Sequence, residues 1–486
     1  MKYLYYFNIF FLFLSCNRTP YPADIEAVLD SAGKNRKQLE LVLEHYSQQE
    51  KDSLKLQAAE YLIRYMPGKC TETYEARWED IASALYRWDN VKNKERLMQE
   101  LGEKKVYEDI HCITAQYLIN NIELAFWVWQ EQPWGKHIPF DTFCEEILPY
   151  RVGKEPLEDW RGKVLAAFDD QLAYFKEHPE ISVVEACCRI NRLLPTFAWV
   201  SYPMPAMNYS MLMSTPRGTC DEMGALAVFV MRALGIPVSQ DFTLQWPNRI
   251  VGHSWNSVCD STGRHISFMG TETNPGETHL GTRLAKSKVY RTMYAKQQTD
   301  GKDKANLPDE LANPYMKDVS NEYANCTYCV DIPKLPAVQT DAAHTVYLLS
   351  FGKEASCIVD KGELIAGKIR FTHIGNRVTY LPVSFSDGHY TAIGYPFRID
   401  ESGILHIFST DPTNREIAIV TDIGLDQSML YRMQEGVFEG ANQADFADKK
   451  KLYTIKDMPK ADYQAIRVPD MTAAESNSKC NITKYF

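Results

Sequence analysis

Long apolar runs, basic clusters, repeats and metal-ligand spacings are all scarce in this sequence. After Leu14 no run approaches the ~18 apolar residues that a membrane-spanning helix needs. Lys and Arg nowhere gather into the stripe that phosphate binding demands. With 63 acidic against 53 basic side chains the formal net charge is -10, which disfavours a nucleic-acid partner. No repeat or low-complexity tract is present. Cys326-x-x-Cys329 lacks the second Cys pair or nearby His ligands of a zinc site. No metal site is read anywhere in the sequence, and this pair is expected to be a local disulfide or two buried thiols. No pattern calls for a cofactor.

What is present describes a folded polymer. Its 486 residues, 45% hydrophobic and 24% charged with 9 Trp, are enough for two or three units with sizeable cores. Lys2 followed by the apolar run Tyr3–Leu14 and then Ser15-Cys16 has the layout of a secretory signal. The end of that run resembles a bacterial lipoprotein lipobox, although Phe13 and Leu14 stand where small residues are usual. The resemblance implies that Cys16 is acylated, that the signal is residues 1–16, and that the protein sits lipid-anchored on a membrane of the bacterial cell envelope, at the outer membrane or cell surface. An ordinary signal peptide is the alternative. Of the 12 Cys, those outside the anchor could form disulfides after export, but spacing cannot pair them.

Along the chain, Asp24–Tyr65 spaces its apolar residues near 3.6, and helices are also expected at Asp80–Tyr86, Ile113–Gln130 and Leu157–Glu177. Residues 17–175 thus form a helical lead-in, whose apolar stretch Ile138–Arg151 is expected to pack against the next domain. Gln297–Asn306 is a surface loop or linker. Beyond about Tyr315 the texture becomes alternating strands, with turn signals at Lys361-Gly362, Ile374-Gly375-Asn376 and Asp387-Gly388. Residues 315–486 are expected to form a β-rich sandwich-like module, cut short where the chain stops at Phe486.

The chemistry concentrates in residues 176–300. Met223, Leu226, Ala227, Val230 and Leu234 keep a helical stripe that Gly235 ends and Pro237 prevents from resuming. Cys220 falls in its first turn, where the positive end of the helix dipole favours a thiolate and backbone N–H groups can hold an oxyanion. A strand follows in which Val251, His253, Trp255 and Ser257 share a face. Arg264–Phe268 is its antiparallel partner after a turn at Asp260–Gly263. An imidazole beside the thiol can take its proton and return it to a leaving group. Asp221 and Glu222 suit the helix start electrostatically, Cys187-Cys188 is core, and His265 is a surface or edge residue.

Gly-Thr-Cys-Asp-Glu at 218–222, the closing Arg-Ala-Leu-Gly-Ile-Pro-Val at 232–238 and Gly-His-Ser-Trp-Asn at 252–256 together resemble the transglutaminase-like superfamily, over about Val183 to Glu277. The resemblance implies an α+β papain-like core in which Cys220 attacks a carbonyl, His253 is the base and an Asp on the next strand orients the imidazole. Met269 stands at that Asp position, so Glu272 is the expected substitute, with Asp260 and Asn256 behind it. Trp255 matches the aromatic two residues past the His. With Trp199 it is expected to bind substrate, and Tyr202 and Tyr209 are further groove candidates. The implied activity is hydrolysis or acyl transfer at amide bonds of a peptide or glycopeptide. Carbohydrate contact by the C-terminal module follows from analogy alone. A catalytically silent scaffold in a surface binding protein is the alternative.

Overall fold

The computed structural model describes residues 21–87, 99–200, 204–247, 251–297, 307–336, 345–351, 356–386 and 388–408, and four further short strands between 416 and 467. Cys16, Tyr202, most of the 297–306 segment and the chain end lie outside the described residues, which contain no helix long and apolar enough to cross a membrane. Helices and sheets combine in an α+β structure.

The stretch with 3.6-residue spacing at 24–65 becomes three helices, Ala23–Ser31, Arg36–Ser47 and Ser53–Arg64, each turning its periodic residues inward. Ile25 and Leu29, then Leu39, Val42, Leu43 and Tyr46, then Ala58, Ala59, Leu62 and Ile63 are all buried. Every such Leu or Ile withdraws enough apolar surface to contribute about 1.5–3 kcal/mol. Trp78–Arg87 and Ala115–Glu131 follow as the periodicity predicts, the latter capped by the Thr114 hydroxyl on the Tyr117 N–H at 3.2 Å. The span 157–177 divides into Trp160–Ala167 and Asp169–Glu177. One element was not legible: Cys70–Tyr74 and Lys104–Glu108 pair as an antiparallel ribbon within the helical region.

The helix Cys220–Ala233 is buried on nearly every side, from Met223 to Ala233, because helices cover one flank and a sheet the other. Its end is a Schellman motif: Ile236 N–H donates to the Met231 carbonyl at 2.9 Å and Gly235 N–H to Arg232 at 3.2 Å. Gly235 sits at φ +75, a conformation that side chains with a Cβ resist. The lead-in grips this end, since the Trp134 indole donates to the Gly235 carbonyl at 2.7 Å, and Arg232 donates to the carbonyls of Glu146 and Arg151 at 3.2 and 2.9 Å. Ile138–Arg151 therefore packs as the sequence predicts.

Against the other flank lies an antiparallel five-stranded sheet in the order His265–Phe268, His253–Cys259, Val238–Thr243, Tyr290–Thr292, Met316–Asp318. The expected hairpin is present, with Asn256 opposite Phe268 and Cys259 opposite His265. A single apolar core runs from Ile25 to Cys326, spanning the lead-in helices and this sheet.

A second core, from Val330 to Ile399 with Ala285, belongs to an eight-stranded sheet that approaches barrel closure. In the described residues this one curved sheet stands where a sandwich was expected. The turn signal Lys361-Gly362 lies inside the strand Ser356–Ile365, where the Phe371 ring fills the space a Cβ at Gly362 would occupy. The chain turns instead at Ala366-Gly367, both at positive φ, as a two-residue hairpin loop requires. Alanine rarely adopts that conformation, which hid the turn. Cys326 is buried and Cys329 exposed, both as free thiols, so the pair is neither a disulfide nor two buried groups.

Candidate active site

Cys220 opens its helix behind Thr219, and a reciprocal capping box fixes the entry. The Thr219 hydroxyl caps the first turn, while the Glu222 carboxylate turns back to accept from the Thr219 N–H at 2.8 Å and from its hydroxyl at 2.7 Å. The thiol is 9% exposed. Burial raises its pKa above the ordinary thiol value, and the Asp221 carboxylate adds to the rise. The Ser254 hydroxyl and backbone N–H reach the sulfur and oppose the shift without reversing it. The helix-start position therefore does not deliver a resting thiolate, and a base is needed to make one.

Ser254 is also the link between helix and strand, because its hydroxyl donates to Asp221 Oδ1 at 2.6 Å. Two residues on, Asn256 is a buried clamp. Its amide donates to the Gly224 carbonyl at 3.1 Å and the Ser239 carbonyl at 3.4 Å, and its oxygen accepts from Gly270 N–H at 3.2 Å. Ser254 and Asn256 thus face the cysteine helix, while His253 and Trp255 occupy the alternate face of the strand. Because the Ser254 N–H reaches Sγ, the sulfur lies beside the peptide that joins His253 to Ser254. The His253 ring stands between two indoles, with centroids 5.8 Å from Trp246 and 5.9 Å from Trp255.

Trp255 is fully buried, which corrects its expected role as a substrate-contacting surface: it is the floor under His253. Its Nε1–H donates to Tyr323 Oη at 2.7 Å, and Tyr323 donates to Asp241 Oδ2 at 2.7 Å. Asp241, also fully buried, is gripped by the Arg291 guanidinium at 2.7 and 2.8 Å. This chain of buried polar groups was missed in the sequence, where its four members are too far apart to form a motif. His279 lies beyond Trp255, its Nδ1 accepting from Gly281 N–H at 3.1 Å. Burial, and then the neighbouring His253, push its pKa down to about 4, so the ring is neutral.

The expected third catalytic members fare differently. Met269 is buried. Glu272 is exposed in a turn that Asn191 anchors through Thr271 and Thr273, and partial burial of its carboxyl raises its pKa. Asp260 is consumed by its own turn, accepting from Thr262 and Arg264 at the far end of the strand from His253. Asn256 faces the helix rather than His253. Trp199 is 60% exposed on a two-residue strand, Ala198–Trp199, paired in parallel with Arg217–Gly218 immediately before the nucleophile. Tyr209 is buried and therefore not a groove wall. Val251 is 61% exposed two residues before His253.

No family model, curated protein or solved structure matches this chain.

Proposed function

We propose that this chain is an exported, lipid-anchored thiol hydrolase or acyl-transferase of transglutaminase-like type, acting on amide bonds of peptides or glycopeptides. In this reading the helical region 17–175 supports a catalytic core at 176–300 and a β-rich module at 315–486, with Cys16 as the lipid attachment. The observation that carries it is the placement of the Cys220 sulfur at a capped helix start, against the peptide bearing His253.

In the proposed reaction the His253 ring, which rests on the strand's other face, turns around the start of the strand to the sulfur and removes the Cys220 proton, and the sulfur attacks the amide carbonyl. The oxyanion is held by the Cys220 N–H at the helix's positive end, and the imidazolium protonates the departing amine as the C–N bond breaks. Water, or an amine in the transfer reaction, then attacks the thioester carbonyl and returns a proton through His253 to sulfur. Trp199 and Val251 offer apolar surface for the acyl partner, while Trp255 and the Tyr323–Asp241–Arg291 chain behind it hold the imidazole's floor. Glu272 is the carboxylate proposed to orient His253.

A catalytically silent scaffold in a surface binding protein is the second reading, supported by the buried Met269 and the raised Cys220 thiol. Iodoacetamide labelling at neutral pH, mapped by mass spectrometry, separates the two. Fast modification of Cys220 that collapses in His253→Ala supports the enzyme. Slow modification indifferent to His253 sinks it in favour of the scaffold.

A further inference from the structure

At the opposite end of the histidine strand, three side chains from distant parts of the chain converge. Cys259 is the last residue of that strand and His265 begins its hairpin partner, while Glu146 ends the helix Phe140–Glu146. Six residues of extended strand separate Cys259 from His253, roughly 20 Å, so this cluster is distinct from the candidate active site. The thiol, an imidazole nitrogen and a carboxylate oxygen all lie within 4.8 Å of one another, and Glu146 and Cys259 are buried.

We propose that Glu146, Cys259 and His265 bind a divalent cation of the zinc class. Tetrahedral zinc with sulfur at about 2.3 Å and nitrogen or oxygen at about 2.0–2.1 Å holds its ligand atoms roughly 3.3–3.7 Å apart. The cluster brackets that spacing. His265 Nε2 and Glu146 Oε1 stand 2.7 Å apart and must open, while the remaining atoms close in from 4.8 Å or less. Both moves are within side-chain rotation. One nitrogen, one sulfur and one oxygen suit a borderline-soft ion and not calcium or magnesium, which require oxygen.

Two further observations point to a ligand. Glu146 Oε2 is buried without a hydrogen-bond partner among the described residues, although Glu146 as a whole is only 5% exposed. On the other side of the ring, Glu322 Oε2 lies 3.5 Å from His265 Nδ1, the carboxylate–histidine arrangement that fixes a metal-binding imidazole. A cavity of about 300 Å³ lined by His265, Ser267, Glu322 and Tyr323 opens beside this carboxylate–histidine pair.

The test uses the full chain carrying Cys112→Ser and Cys329→Ser, which removes the two exposed thiols among the described residues, stripped with chelator. Zinc is titrated against a chromophoric competitor, and cobalt is added in parallel to look for a sulfur-to-metal charge-transfer band. One equivalent of zinc is expected, weakened more than about 100-fold by Cys259→Ser or His265→Gln and about 10- to 100-fold by Glu322→Gln. Equal zinc affinity in the parent and Cys259→Ser chains overturns the site. Should Cys259→Ser not fold, the cobalt spectrum of the parent decides: the charge-transfer band supports the site, and its absence overturns it.

Discussion

Asn256 joins the helix of Cys220 to the strand of His253, so replacing it by Asp tests the frame on which the candidate site depends. The side chain keeps its shape, and the retained oxygen still accepts from Gly270 N–H, but the other end now faces the Gly224 and Ser239 carbonyls. A carboxylate cannot donate to them, so the fold accepts the group only as a neutral acid. Holding an Asp of ordinary pKa about 3.9 protonated at pH 7 costs about 4 kcal/mol. The folded-state pKa is raised, so stability is intact below about pH 4 and is lost at about 1.4 kcal/mol per pH unit above it. Asn256→Ala has no such dependence. It strands the Gly270 N–H, a loss of about 1–3 kcal/mol at every pH. Urea unfolding followed by tryptophan fluorescence from pH 4 to 8 should show the two variants crossing, with Asp the better tolerated in acid and Ala at neutrality. An Asn256→Asp penalty that does not change with pH would refute the assigned hydrogen bonds.

His279 and Asp360 should oppose each other in pH-dependent stability. His279 is held down to about 4 by burial and then by His253, so its contribution is complete above about pH 6.5 and drains by about 3 kcal/mol as pH falls to 4. Asp360 is pushed up to about 6 by burial, despite the Lys288 ammonium beside it. Its contribution is complete in acid and drains by a similar ~3 kcal/mol as pH rises through 6. Urea midpoints of Asp360→Asn should therefore fall from pH 6.5 to 4, and those of His279→Gln should fall from pH 4 to 6; parallel profiles would contradict both assignments. Arg291→Met leaves the Asp241 carboxylate buried with Tyr323 alone, and should lose about 3–5 kcal/mol in the same assay. Much of that should return when Asp241→Asn is added, because the deficit is an uncompensated charge. Ser254→Ala removes one of the groups that lower the Cys220 pKa, and should slow alkylation of Cys220 near neutral pH.

The local elements were legible because each rests on neighbours in the chain. The three helices between Ala23 and Arg64, the cysteine helix with its Gly235 stop and the hairpin from His253 to Phe268 all follow from periodicity and from turn or capping residues. The Ala366-Gly367 turn escaped because alanine seldom takes positive φ, and the near-closed sheet escaped because strand alternation does not fix how many strands join one sheet.

Cys220 at a helix start and His253 on a strand were set by residue order alone, since capping and alternation act over a few positions. Tertiary structure decided what those groups meet: Ser254 and Asp221 at the sulfur, two indoles at the imidazole, and burial that raises the thiol pKa where the helix dipole alone would lower it. It also made Trp255 an interior floor, sent Asn256 to clamp the helix, and gathered Glu146, Cys259 and His265 across more than a hundred residues. Desolvation and Coulomb interactions depend on distances in space, and spacing along the chain carries no record of those.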